Sequence, residues 1–260
     1  MTKICVLASG SKGNAIFVSN DKTAILIDAG LSGTEIDRRL RSRNISPDAL
    51  DAVVVSHEHG DHIHGVGVMS RRFHLPVYIN EPTLAVSRTR LGALHEVRHF
   101  QRGASFCIGS LSIHPFSVSH DAADPVGFTI RDGGAKIGIA TDLGVATKLV
   151  CHHLEGCSLM ILEANHDLKM LEEGPYPWHV KQRISSRLGH LSNEASRDLL
   201  GAVAGSKLKH VIVSHMSETN NEPGKALSVV GEAVSHQAAR LSLAPQHEAG
   251  DMIILDHTWG

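Results

Sequence analysis

Short apolar runs broken by Gly, Asp, Ser or Asn recur along the whole chain, first at residues 4–8, 15–19, 24–27, 52–55 and 77–79. They continue at 111–118, 126–130, 136–140, 159–162, 210–213 and 252–255. Each is short and rich in Val, Ile and Leu, which predicts strands, several of them apolar at every position and so buried on both faces. Between the runs, residues 34–43, 180–188, 193–204 and 223–235 carry a helical period. In the first of these helices Ile36 and Leu40 point inward, while Arg38, Arg39, Arg41 and Arg43 make a solvated face.

The order of these elements narrows the fold. Strands come first as hairpins and later alternate with helices, which predicts an α/β chain of sheets flanked by helices rather than one parallel sheet. Gly10-Ser11-Lys12-Gly13-Asn14 is glycine-rich, but it lacks phosphate-loop spacing and leads into a strand, so it reads as a hairpin turn. No repeat or linker interrupts the pattern, and 260 residues suit a single domain over 1–260.

Composition changes this picture in two places. The formal net charge of -2 excludes a global field for polyanions, so any nucleic-acid site must be local. Nineteen histidines exceed what a core of this size requires, and they cluster. The four cysteines form no C-x-x-C pair, the first apolar run is too short for a signal peptide, and no run approaches the ~20 residues of a membrane span. A reduced cytoplasmic protein with no membrane partner and no organic cofactor is the expectation.

The apolar strand at 52–55 ends in Ser56, and His57-Glu58-His59-Gly60-Asp61-His62 follows at once. Imidazole and carboxylate are the ligands of zinc and similar ions, and crowding them has little structural use without a metal. The placement repeats: His120, Asp142 and His215 each follow a predicted strand. Singly they read equally well as a turn histidine, a helix cap and a polar strand end. Ligand-type residues leaving strands at one sheet edge would instead converge on one pocket.

The H-x-H-x-D-H run with His120, Asp142 and His215 resembles the metallo-β-lactamase superfamily, over nearly the whole chain. The resemblance implies a four-layer αβ/βα sandwich of two mixed sheets, with a two-metal site at one edge. It implies that His57, His59 and His120 hold one ion, that Asp61, His62 and His215 hold the second, and that Asp142 bridges them. Asp28 would orient the histidine loop. Two such ions, Zn²⁺ or Mn²⁺, lower the pKa of a shared water toward neutrality, with Asp61 among the catalytic groups. That chemistry licenses hydrolysis and does not choose the substrate.

Further segments narrow the bond cleaved. Ser9 to Asn14, Glu163 to Asp167, Gly189 to Asn193 and His215 to Asn221 together look like the WalJ (YycJ) branch of the superfamily, which implies 5′→3′ exonuclease action on DNA. Gly189-His190-Leu191-Ser192 also resembles the Gly-His-x-Ser motif of related nucleases, in which the histidine meets the scissile phosphate. His190 is therefore a second catalytic candidate, and Ser192 is a helix N-cap as well as a candidate phosphate neighbour. Arg183 and Arg187, four apart on one predicted helix face, are candidate backbone-phosphate contacts, with a solvated basic face as the alternative. His166 is a candidate for the substrate groove. Tyr176 and Trp178 read as packing, with stacking on a terminal base as the other possibility. A small-molecule cyclic phosphodiesterase and a thioester, lactone or β-lactam hydrolase share the same metal motif and are the competing readings.

Overall fold

The computed structural model describes residues 1–256. The first sheet holds β1 (Thr2–Ala8), β2 (Ala15–Ser19), β3 (Ala24–Ile27), β4 (Ala52–Val54), β5 (Pro76–Ile79) and β6 (Glu96–His99). The second holds β7 (Phe106–Ile108), β8 (Leu111–Ser117), β9 (Val126–Asp132), β10 (Ala135–Ala140), β11 (Leu159–Glu163), β12 (His210–Ser214) and β13 (Arg240–Leu243). A last strand, β14 (Ile253–Leu255), returns to pair with β1. The orders are β14-β1-β2-β3-β4-β5-β6 and β13-β12-β11-β10-β9-β8-β7.

Each sheet begins with antiparallel hairpins and continues in parallel. It follows that β1, β3, β4 and β5 run one way in the first sheet, and β8, β10, β11 and β12 run one way in the second. Their C-terminal ends lie on a common edge of each sheet. All eleven predicted strands form. The three that were missed, β6, β7 and β13, are edge strands. β6 is exposed at all four positions, and a strand with no buried face carries no apolar signal.

The helices are α1 (Gly33–Ser42), α2 (Gly60–Ile63), α3 (Val66–Phe73), α4 (Glu81–Leu91), α5 (Lys148–Leu154), α6 (Leu168–Glu173), α7 (Trp178–Ile184), α8 (Asn193–Val203) and α9 (Pro223–Gly231). Between the sheets pack Ile4, Ile25 and Val54 from one and Ile113, Phe128 and Ile161 from the other. Ile36 and Leu40 of α1, Met69 of α3 and Leu84 of α4 cover the outer face of the first sheet. Val150, Leu199 and Val230 of α5, α8 and α9 cover the second. The result is the expected four-layer sandwich of two mixed sheets between helices.

Two helical expectations need correction. Arg39 is not on a solvated face: it is 5% exposed, and its guanidinium donates to the Leu7 carbonyl at 2.8 Å and to Glu35 at 2.7 Å. The predicted helix at 180–188 begins earlier and stops at Ile184, because Ser185 and Ser186 turn their hydroxyls back onto the Lys181 and Arg183 carbonyls. Gly189 then lets the chain pass beneath that helix end, where a Cβ would meet the Ile184 oxygen at 2.1 Å.

Gly30 holds the first sheet's edge against the histidine loop. A Cβ there would lie 1.6 Å from the Asp61 oxygen and 2.6 Å from the Asn14 nitrogen, two atoms that hydrogen-bond each other at 2.7 Å. Gly30→Ala must push the loop away, and we expect it to lower stability by about 2–3 kcal/mol and to reduce bound metal. Urea unfolding and elemental analysis measure both. A variant with wild-type midpoint and full metal content would refute this packing argument. Among the described residues no helix is long and apolar enough to cross a membrane, and all four cysteines are free.

Candidate metal centre

The edge shared by the C-terminal strand ends is where the polar residues gather. Asp28 leaves β3, the histidine loop leaves β4, His120 and Asp142 follow β8 and β10, and His215 follows β12. Asp28, Asp142 and His215 all sit at positive φ (58°, 55° and 52°). Non-glycine residues pay for that backbone, and here it turns each side chain off its strand into one pocket.

Asp28 organises the loop. Its carboxylate accepts from the Ser56 amide at 2.8 Å, from the Ser56 hydroxyl at 2.7 Å and from His62 Nδ1 at 2.8 Å. The Ser56 hydroxyl also meets His57 Nδ1 at 2.9 Å. His120 Nδ1 lies 3.2 Å from the Gly189 carbonyl. Binding the far ring nitrogen in this way aims the inner one into the pocket, where it offers a lone pair whenever the ring is neutral.

Those inner atoms crowd together. His120 Nε2 faces His59 Nδ1 at 3.2 Å. Asp142 lies 3.2 Å from His62 Nε2, 3.4 Å from His215 Nε2 and 3.7 Å from His120 Nε2. Asp61 lies 3.7 Å from His62 Nε2 and 3.6 Å from His215 Nε2. Ligand atoms of His57, His59 and His120 fall within 4.8 Å of one another, as do those of Asp61, His62 and His215, and those of His57, His62 and Asp142. His57 Nε2 is sealed from solvent and has no hydrogen-bond partner. A lone pair of that kind is costly unless a cation meets it, so the donor set fits divalent metal.

The electrostatics point the same way. Burial holds His57 well below its ordinary pKa, so it is neutral and able to ligate. Burial also works to lower His62 and His215, but the Asp142 carboxylate overrides it, and both stand well above their ordinary value without a cation. A metal must displace those protons. We therefore expect apparent metal affinity to keep rising with pH through and beyond the ordinary histidine range, levelling off only above the raised values, by up to roughly tenfold per unit for each proton released. Chelator competition at several pH values tests this, and a flat profile would contradict it.

The remaining candidates divide. His190 joins the cluster: its Nδ1 lies 2.7 Å from Glu163, and its ring is 5.1 Å from that of His215. Ser192 caps α8, accepting from the Ala195 amide at 3.2 Å. Arg183 reaches the rim, paired with Asp121 at 2.6 Å. Arg187 does not share its helix face, because it lies in the turn beyond α7. His166 is 1% exposed, so its ring does not line an open groove, and burial presses its pKa down to about 4. Trp178 is not core packing: it is 69% exposed.

Several residues of the pocket escaped the sequence reading. Glu163, fully buried, holds both His190 and His215 (3.1 Å) and accepts the Leu143 amide at 2.8 Å. It ends β11 on the same edge, so the rule that picked out Asp142 applies to it. Asp121, next in sequence to His120, lies 3.4 Å from His120 Nε2. Asn14, at the end of the predicted hairpin turn, donates to Asp61 at 3.2 Å. Its loop is a turn that also reaches the site. The rims of the pocket are His59, Asp61 and His190, 28%, 22% and 20% exposed at the side chain.

Residues 23–216 match the family described as Beta-lactamase superfamily domain. The chain is 38% identical to exodeoxyribonuclease WalJ of Streptococcus pneumoniae, over 84% of this chain and 83% of that protein. It is 35% identical to exodeoxyribonuclease YycJ of Bacillus anthracis, over 83% of each. The fold is similar to that of the metallo-β-lactamase fold protein YhfI from Bacillus subtilis (TM-score 0.75, 16% identity, 98% of this chain and 100% of that one). It is also similar to Zn²⁺-bound PqqB from Methylobacterium extorquens (TM-score 0.71, 16% identity, 98% and 100%). With sheets, strand-end His and Asp residues and sequence in agreement, the chain belongs to the metallo-β-lactamase superfamily and to its WalJ/YycJ group.

Proposed function

We propose that this protein is a two-metal phosphodiester hydrolase that removes nucleotides from the 5′ end of DNA. In this reading His57, His59 and His120 hold one divalent ion, Asp61, His62 and His215 hold a second, and Asp142 serves both. The imidazole-rich set favours Zn²⁺, with Mn²⁺ the alternative. When bound, such ions supply a water of lowered pKa and neutralise charge on the phosphate oxygens.

The observation that carries the reading is His190. Its Nδ1 is fixed on Glu163, and its ring lies against His215 at the open rim of the pocket. A ring so placed donates from Nε2 to a phosphate oxygen, or protonates the departing alkoxide as the P–O bond breaks. Asp61, at the same rim, accepts from Asn14 and stands beside His215 to orient the attacking water. The exodeoxyribonuclease relatives support DNA as the substrate.

The test is degradation of 5′- and 3′-labelled single- and double-stranded DNA with Zn²⁺ and Mn²⁺ in parallel, with His57→Ala as the inactive control. Stepwise loss from the 5′ end is expected. Turnover of a cyclic nucleotide or a thioester with DNA left intact would overturn the proposal.

A further inference from the structure

The segment leading into His190 has chemistry that the metal centre does not use. Helix α7 has no buried residue. A seven-residue helix is marginal by itself in water, and tertiary burial normally sustains it. This one is held instead at its C-terminal end. Arg183 bonds Asp121, His190 donates its amide to the Ile184 carbonyl at 2.9 Å, and the Ser119 hydroxyl donates to the Arg187 carbonyl at 2.8 Å. The other end presents Trp178 to solvent, at 69% exposure.

The charge around it is one-sided. From Gly174 to His190 the sequence has no Asp or Glu, yet it carries Lys181, Arg183 and Arg187. Lys181 spends one donor on the Glu172 carbonyl, which leaves its charge unpaired by that bond. Asp121 partners Arg183 from outside the segment. An exposed indole one helical turn from Lys181, on a cationic segment that ends at the histidine pocket, is a combination by which proteins hold single strands: the bases stack and the phosphates meet the cations. A solvated basic surface would account for Lys181 and Arg187. It would not account for a tryptophan left bare, since large aromatic rings are normally buried.

We propose that α7 is a docking platform for single-stranded DNA, with Trp178 stacking on an unpaired base of the strand whose end lies at the metals. This rests on the nuclease reading above and adds to it a residue that grips substrate. Trp178 is five residues before Arg183, about 7.5 Å along the helix axis. At about 3.4 Å per stacked nucleotide, its base is roughly two steps from the rim.

The chain has two tryptophans, Trp178 and Trp259, so Trp259→Phe leaves Trp178 as the only indole emitter. In that background, metal-loaded protein titrated with a phosphorothioate dT12 strand is expected to show quenched indole emission. Trp178→Ala is expected to raise KM for a 12-nucleotide single strand by roughly tenfold, with metal content and thermal midpoint unchanged. Trp178→Phe, which keeps a stacking ring, should recover most of that loss. If wild-type protein degrades the strand, Trp178→Ala matches its KM and no quenching is seen, the platform is wrong and the nuclease reading stands. If wild-type protein neither binds nor degrades DNA, both fall.

Discussion

Asp142→Ala is expected to reduce hydrolysis by at least about a thousandfold and to leave the protein with no more than one firmly held cation. The carboxylate is 2% exposed and lies within 3.7 Å of inner nitrogens on three histidines, more than any other acidic residue of the pocket reaches at that range. Burial alone would raise its pKa, yet the imidazoles of His215, His62 and His57 hold it well below the usual carboxylate range. It is the negative charge around which the pocket is arranged. Losing several kcal/mol of cation binding corresponds to the expected rate loss, at about 1.4 kcal/mol per decade. Asp142→Asn keeps the shape and deletes the charge, so it separates electrostatics from packing. Two tightly held metals and a tenth or more of wild-type activity in that variant would refute the central role of Asp142.

The candidate ligand residues that gather in the pocket were legible because two signals coincide in them. A buried β4 strand is followed by five ligand-type side chains within six residues, four of which reach the pocket, and later strands end in single ones. Strand ends are readable from apolar runs, so residues that follow them are readable too. What stayed hidden depends on distances that no local pattern encodes. Glu163 looks like the polar end of a buried strand until β11 is known to lie beside β10 and β12. Asn14 looks like a turn residue until the hairpin is seen against Asp61. The positive φ of Asp28, Asp142 and His215 has no signature in residues that are not glycine. Among helices, α1 was read because it has one apolar face. The missed α4 has Pro82 two residues past the Asn80 cap, in its first turn, and mixes Val, Ser, Thr and Arg without a stripe. Arg183 and Arg187 were misjudged for the converse reason: spacing of four places residues on one face only if the helix continues, and two serines end it.

His190→Ala is expected to keep both cations yet lose DNA cleavage by about a hundredfold to ten-thousandfold, the range for a positioned general acid. Burial opposes a charge on this ring, but the Glu163 carboxylate against Nδ1 raises its pKa above the ordinary value. The ring therefore keeps a proton on Nε2 to higher pH than a free histidine would. Activity that needs this proton falls as pH rises through that raised value, and the alkaline fall should vanish in His190→Ala. Glu163→Gln should behave differently. Glu163 also holds His215 at 3.1 Å, so its loss should weaken metal binding by roughly ten- to a hundredfold as well as slow cleavage. The pair of variants decides between two arrangements of the same atoms, because ligand atoms of His190 also fall within 4.8 Å of those of Asp142, Glu163 and His215. If His190→Ala loses a full equivalent of metal, the ring is a ligand and not a proton donor. If it retains two equivalents and cuts a 5′-labelled duplex at the wild-type rate, the phosphodiesterase argument loses its main support.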